Sequence, residues 1–108
     1  MPQKNNGLKV AMTGFMGVGK SSVARHLASL LRTKRIDLDR VIEEDAGMTI
    51  AALIDSVGID KYRDIETENL QNVVGRDDMQ ILSLGGGTWT LERNREILRE
   101  NGFTSVWL

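Results

Sequence analysis

The clearest chemical pattern in the chain is a glycine-rich stretch near the N-terminus. Residues 14–21 read GFMGVGKS and fit the phosphate-binding pattern G-x-x-x-x-G-K-[ST] at every fixed position. In this pattern, backbone N–H groups and the start of a helix surround a polyphosphate. We expect Lys20 to bridge the β- and γ-phosphates and the Ser21 hydroxyl to bind the accompanying Mg²⁺. The stretch therefore predicts a nucleotide site.

Two carboxylates, Asp37 and Asp39, lie at the end of a short strand predicted over residues 35–39. The carboxyl ends of parallel strands line the ligand crevice of an α/β sheet, so both should lie near the nucleotide. Asp39 has a second interpretation, as the N-cap of the helix that follows. The strand predicted over residues 80–84 ends without the acidic residue that normally binds Mg²⁺. Asp37 is therefore the best candidate for that ligand.

A third group of residues consists of an arginine and a glutamate on a helix predicted over residues 60–74. At about 100° per residue, Arg63 and Glu66 both fall within the apolar half of this helix. An uncompensated buried charge costs about 3–5 kcal/mol, so both side chains need partners. We expect Glu66 to hold the Arg63 guanidinium, which presents its planar fork to an anionic group of a substrate.

Three glycines, Gly85, Gly86 and Gly87, follow the strand predicted over residues 80–84 directly. A flexible turn is the simpler interpretation. Each glycine, however, costs roughly 0.5–1 kcal/mol in conformational entropy relative to alanine. A ligand that approaches the backbone closely would justify all three, so we expect a ligand contact here.

The elements that position these residues follow from the hydrophobic pattern. Short apolar strands are predicted over residues 8–12, 35–39, 80–84 and 103–108, with helical patterns between them. This alternation predicts an α/β domain with a parallel sheet. In the first helix, His26 lies away from the apolar face and is interpreted as solvent-exposed rather than as a ligand. Thr49 is a plausible helix cap, and Trp107 is expected in the core.

Composition limits the classes of function. The chain has 108 residues, enough for one domain, with 41% hydrophobic and 27% charged residues and a net charge of -1. This balance provides no basic field for nucleic acid or an anionic membrane, and no segment approaches the length of a membrane span. The absence of cysteine fits a reducing compartment. We therefore expect a cytoplasmic protein without nucleic-acid or membrane partners.

Four motifs, taken together and in this order, resemble those of the shikimate kinase family. They are the stretch at residues 14–21, Asp37 with Asp39, Arg63 with Glu66, and the glycines at residues 85–87. The resemblance runs from about residue 8 to the last residue. It implies an α/β P-loop NTPase fold of the nucleoside-monophosphate-kinase type, with a parallel sheet flanked by helices. The implied reaction is transfer of the γ-phosphoryl group of ATP to the 3-hydroxyl of shikimate.

The resemblance also assigns roles to individual residues. Residues implied to hold the ATP phosphates are Gly17, Val18, Gly19, Lys20, Ser21 and Ser22. Those implied to hold Mg²⁺ are Ser21 and, through water, Asp37. Residues implied to bind shikimate are Asp39 at its hydroxyls, Arg63 at its carboxylate, and Gly85, Gly86 and Gly87 through backbone N–H groups. Lys20 and Asp39 are implied to be catalytic, and Glu66 to orient Arg63.

The chain departs from the family pattern in two places. Ile59 stands where the family usually has glutamate before its aromatic-arginine pair. Family members also continue well past Leu108 with a lid and further arginines. From the resemblance we therefore expect residues 1–108 to be a single P-loop kinase domain that is incomplete at its C-terminus and forms the N-terminal two thirds of a monomeric enzyme. The alternatives are a weak or inactive module that binds nucleotide and shikimate, and a kinase of another small polyol such as gluconate, which Arg63 and the glycines fit less well.

Overall fold

A parallel sheet forms the centre of the molecule. A computed structural model describes residues 8–13 and 20–107. In this part of the chain the strands are β1 (Val10–Thr13), β2 (Lys34–Asp37), β3 (Met79–Ser83) and β4 (Thr104–Trp107). Their order is β2-β3-β1-β4, and every neighbouring pair is parallel. The predicted α/β class with a parallel sheet is therefore confirmed.

Helices connect successive strands. They are α1 (Lys20–Leu31), α2 (Leu38–Ala46), α3 (Ile50–Val57), α4 (Ile59–Val74) and α5 (Glu92–Glu100). A single 3₁₀ turn, Thr88–Thr90, precedes α5 and was not expected from the sequence. None of the helices in the described ranges is long and apolar enough to cross a lipid bilayer.

Both faces of the sheet are covered by helices. Along β1, Val10 and Met12 pack with Ala28 of α1, whereas Ala11 belongs to a larger core on the opposite face. That larger core contains apolar side chains from α2, α3, α4 and α5. The central strands β1 and β3 are consequently buried along their whole length. This burial on both faces is typical of parallel sheets, whose side chains alternate between the two cores.

The junction between β2 and α2 differs from the prediction. The strand ends at Asp37 rather than at residue 39, and α2 begins at the next residue, Leu38. The Asp37 carboxylate caps the helix, because its Oδ1 accepts a hydrogen bond from the Asp39 N–H at 3.0 Å. The interpretation of Asp39 as the N-cap is therefore wrong. Asp39 lies in the first helical turn, where its negative charge suits the N-terminal end of the helix dipole.

Other expectations of local structure can be checked directly. Thr49 caps α3, since its hydroxyl accepts a hydrogen bond from the Ala52 N–H at 3.2 Å. His26 is exposed, as expected. The expectation that Trp107 is a core residue concerns a side chain outside those the structure describes.

Candidate functional site

The described part of the candidate site lies at the carboxyl ends of the strands. In the sheet register, Asp37 of β2 is opposite Ser83 of β3, which is in turn opposite Met12 of β1. The three strands therefore end at one edge, where the predicted nucleotide and substrate residues were expected to meet. Residues 14–19 of the predicted phosphate loop lie outside the described residues, as do the side chains of Lys20, Ser21 and Ser22.

Asp37 lies on the side of the sheet covered by α1. Its side chain alternates with that of Ile36, which is buried in the core on the opposite face. A cavity of about 490 Å³ at this position is lined by Asp37, Arg25, Arg35 and Arg40. Three guanidinium groups against one carboxylate give the cavity a positive lining, which attracts anions. These arginines were not predicted from the sequence, although Arg35 precedes Asp37 by two residues and so shares its side of the strand.

Among the described residues, one position suits a Mg²⁺ ion. Among them, no three histidine or acidic side chains cluster in a way that could enclose a metal ion. Mg²⁺, however, usually keeps several waters and is bound by one or two carboxylates together with substrate phosphates. Asp37 supplies one such carboxylate, with Oδ1 engaged by the Asp39 N–H. This donor set suits a Mg²⁺ ion that a nucleotide brings with it.

The Asp39 side chain points towards the turn formed by Gly85, Gly86 and Gly87 after β3, here called the glycine turn. A Cβ atom at position 85 would lie 3.1 Å from both carboxylate oxygens of Asp39. Such a distance is tight for any side chain, so Gly85 is the residue that allows this close approach. Asp39 is the second residue of α2, two positions after the end of β2, and its carboxylate lies against the backbone at Gly85. The sequence placed both at the site but gave no indication of this contact.

Arg63 and Glu66 form the expected ion pair on α4. The distance from Arg63 Nη1 to Glu66 Oε1 is 2.9 Å, and the two side chains are 30% and 3% exposed. Arg63 also contacts the glycine turn, since a Cβ atom at position 87 would lie 2.7 Å from its Nη2. On its open side, Arg63 borders a groove of about 460 Å³ between the N-terminal parts of α4 and α5. The guanidinium is therefore held by one carboxylate and remains accessible.

Two further buried polar residues belong to this arrangement, and neither was predicted from the sequence. The Thr88 hydroxyl donates to Glu66 Oε2 at 2.6 Å, and the Asn94 side-chain amide donates to the Thr88 carbonyl oxygen at 2.9 Å. Thr88 and Asn94 are both fully buried. The available signal was the position of Asn94 on α5, four residues before the buried Leu98 on the apolar face of the helix.

The buried Tyr62 reports on the charges around this site. Its ring centroid lies 5.5 Å from Arg63 Cζ. Burial, together with the smaller effect of the negative charges of Glu66, Asp39 and Glu43, raises the pKa of the Tyr62 phenol from 10.0 to about 12 against the opposing charge of Arg63. The neutral phenol is therefore the form that the folded chain stabilises.

A titration tests this environment. Because the folded pKa lies above the unfolded value, the contribution of Tyr62 to stability is complete below pH 10 and is lost as the pH rises towards about 12. Tyr62 is the only tyrosine, so phenolate absorbance follows it alone. We expect a midpoint near 12 in the folded chain and near 10 in urea. Tyr62→Phe should reduce the fall in the free energy of unfolding as the pH rises from 10 to about 12. Equal midpoints in the folded and unfolded states would contradict the assigned burial.

Comparison with known proteins supplies independent information. A family model described as shikimate kinase matches residues 16–108. The chain is 41% identical over 97 residues to a shikimate kinase from Streptococcus thermophilus, covering 90% of this chain and 57% of the relative. It is 40% identical over 99 residues to one from Thermus thermophilus, covering 91% and 53% respectively.

Solved structures give the same result. The fold matches a shikimate kinase from Bacteroides thetaiotaomicron with a TM-score of 0.85 and 31% identity, covering 94% of this chain and 59% of that one. It matches a shikimate kinase from Acinetobacter baumannii in complex with shikimate with a TM-score of 0.84 and 37% identity, covering 94% and 55%. The chain thus spans little more than half the length of the proteins it matches. Its sequence and its fold show that it belongs to the shikimate kinase family.

Proposed function

We propose that the chain carries the nucleotide and acceptor sites of an ATP-dependent shikimate kinase, which transfers the γ-phosphoryl group of ATP to the 3-hydroxyl of shikimate. One observation supports this most strongly. Asp39 approaches Gly85 and Arg63 approaches Gly87, so an acidic and a basic side chain meet the same glycine turn. A small ligand with hydroxyls at one end and a carboxylate at the other fits such a pair of groups.

On the acceptor side, each group has a separate task. Arg63 binds the shikimate carboxylate through the N–H groups that Glu66 does not use, because guanidinium and carboxylate match as planar forks. Asp39 accepts hydrogen bonds from ring hydroxyls. The backbone N–H groups of Gly85, Gly86 and Gly87 contact the ring, where the absence of side chains permits close approach.

On the nucleotide side, the phosphate loop binds the ATP phosphates and Asp37 helps to bind Mg²⁺. The residues proposed to hold the ATP phosphates are Gly17, Val18, Gly19, Lys20, Ser21 and Ser22. Those proposed to hold Mg²⁺ are Ser21 and, through water, Asp37. When bound, Mg²⁺ neutralises charge on the β- and γ-phosphates. The positive cavity beside Asp37 supports this placement of a polyanion.

In the proposed reaction, the 3-oxygen of shikimate bonds to the γ-phosphorus while the bond from that phosphorus to the β-phosphate oxygen breaks. The products are 3-phosphoshikimate and ADP. Asp39 orients the hydroxyl and takes its proton, and Lys20 stabilises the charge on the transferring group. Because phosphoryl transfer involves little covalent chemistry by the protein, positioning and charge neutralisation supply most of the rate. We also propose a cytoplasmic, monomeric enzyme without nucleic-acid partners, in keeping with the cysteine-free and nearly neutral sequence.

Calorimetric titration of the folded chain with shikimate and, separately, with Mg-ADP tests this proposal. We expect each ligand to bind at one site, because the acceptor groups and the phosphate motif are both part of this chain. Gluconate, which also carries a carboxylate and hydroxyls, is the control ligand and should bind more weakly than shikimate. A folded chain that prefers gluconate, or that binds Mg-ADP but not shikimate, would contradict the assigned acceptor.

A further inference from the structure

A series of hydrogen bonds links α5 to the guanidinium of Arg63 through the interior of the molecule. From Asn94 of α5, the bonds pass to Thr88 in the 3₁₀ turn, then to Glu66 and to Arg63 on α4. Glu66, Thr88 and Asn94 are each at most 2% exposed. Buried polar groups of this kind are held in one orientation, because losing a hydrogen bond away from water is costly.

The two oxygens of Glu66 have different partners. Oε1 accepts from Arg63 Nη1 at 2.9 Å, and Oε2 accepts from the Thr88 hydroxyl at 2.6 Å. A carboxylate with one fixed partner can still rotate, whereas two partners on opposite oxygens define its plane. Since the guanidinium is planar as well, the plane of Glu66 determines the direction in which Arg63 presents its remaining N–H groups.

Thr88 is itself held in place from the other side. Its carbonyl oxygen accepts from the Asn94 amide at 2.9 Å, and the Asn94 Oδ1 accepts from the Thr67 hydroxyl at 2.7 Å, which fixes the orientation of the amide. The backbone N–H of Thr88 bonds to the Gly85 carbonyl oxygen at 3.1 Å. Thr88 therefore belongs both to the glycine turn and to the network that ends at Arg63.

We propose that Thr88 is a positioning residue for the acceptor: its hydroxyl fixes Glu66, and thereby Arg63, for the substrate carboxylate, while Asn94 holds Thr88. This inference rests on the proposed function, because it concerns the direction in which Arg63 meets shikimate. It also explains how two separate substrate contacts keep a fixed position relative to each other. The turn that presents the backbone N–H groups and the side chain that presents the guanidinium are joined through one residue.

Thr88→Val tests the role of the hydroxyl, because valine has nearly the same shape but no donor. We expect the Kd for shikimate to rise about tenfold, the typical effect of losing one hydrogen bond to a charged group. Thr88→Ser keeps the donor and should restore binding. Thr33→Val is the matched control, since the Thr33 hydroxyl donates to the neighbouring Lys34 carbonyl oxygen in an exposed hydrogen bond far from the acceptor residues in sequence. Circular dichroism verifies folding, and Thr88→Ala replaces the valine variant if that one does not fold.

A second ligand separates positioning from general damage to the site. Methyl shikimate lacks the carboxylate charge that Arg63 recognises, so Thr88→Val should leave its affinity and that of Mg-ADP within about twofold of the unmodified chain. The proposal is overturned if the variant weakens shikimate and methyl shikimate equally. It is also overturned if the folded variant binds shikimate as tightly as the unmodified chain.

A measurement without ligand keeps this inference separable from the proposed function. The ¹⁵N signals of the Arg63 guanidinium can be assigned by their loss in Arg63→Lys. We expect resolved, slowly exchanging Nη signals in the unmodified chain and in Thr88→Ser, and signals averaged by rotation in Thr88→Val. If shikimate does not bind at all, the proposed function fails, while this result still decides whether Thr88 fixes Arg63. Identical signals in all three proteins would refute the positioning role.

Discussion

Replacing Arg63 by alanine is expected to weaken shikimate binding about 1000-fold, because a pair of charge-assisted hydrogen bonds to the carboxylate is lost. The Kd for Mg-ADP should change by no more than about twofold, since the phosphate motif lies elsewhere in the chain. Calorimetry on the same preparation measures both constants. Arg63→Lys should recover only part of the affinity, because an ammonium group cannot form the bidentate contact. Equal losses for both ligands would contradict the role assigned to Arg63.

The control for this experiment addresses stability. Glu66 is only 2% exposed in the folded chain, so removing Arg63 takes the cation away from a buried carboxylate. Breaking a buried ion pair in this way costs about 3–5 kcal/mol, so the single variant should unfold at lower urea concentration. Arg63→Ala combined with Glu66→Gln removes both charges and should recover much of that stability. Shikimate binding should stay lost in the double variant, which separates the two effects.

Gly87→Ala is expected to weaken shikimate binding about 100-fold while the fold persists, since a displaced guanidinium loses a charge-assisted hydrogen bond to the carboxylate, worth up to about 3 kcal/mol. The added Cβ would lie 2.7 Å from Arg63 Nη2, so the guanidinium must move. The backbone itself accepts alanine, because Gly87 has helical angles, with φ of -74° and ψ of -25°. The loss should therefore appear in ligand affinity rather than in the urea midpoint.

Gly75→Ala is the matched control for this substitution. Gly75 also has helical angles, with φ of -81° and ψ of -2°, and within the described ranges an added Cβ would meet only the Asn72 carbonyl oxygen at 4.0 Å. We expect its shikimate affinity to equal that of the unmodified chain within about twofold. If Gly87→Ala also binds shikimate normally, the guanidinium does not need its present position against the glycine turn.

Features with a local cause could be predicted from the sequence. Arg63 and Glu66 were paired correctly because two charges three residues apart on the apolar half of a helix must compensate each other. Thr49 was recognised because a helix cap depends on residues within one turn. The α/β class likewise follows from a repeated alternation of short apolar strands and amphipathic helices.

The end of β2 could not be predicted in the same way. Ile36 and Leu38 are both buried, and two apolar residues separated by one position satisfy the period of a strand. Leu38 is in fact buried as the first residue of α2, which gives the same spacing for a different reason. Thr88 was missed because its bond to Glu66 joins residues 22 positions apart, a contact that only tertiary packing creates.

The direct junction of β2 and α2 has a consequence for how the proposed nucleotide and acceptor sites are spaced. Asp37 belongs to the positive cavity beside α1, and Asp39 faces Gly85 across the turn. Two residues of chain span at most about 7 Å, so the backbone tethers these carboxylates to each other covalently. In the proposed enzyme, the spacing between the carboxylate assigned to Mg²⁺ and the carboxylate assigned to the acceptor hydroxyl is then limited by bonded geometry. Motion of the other helices against the sheet would leave this limit unchanged.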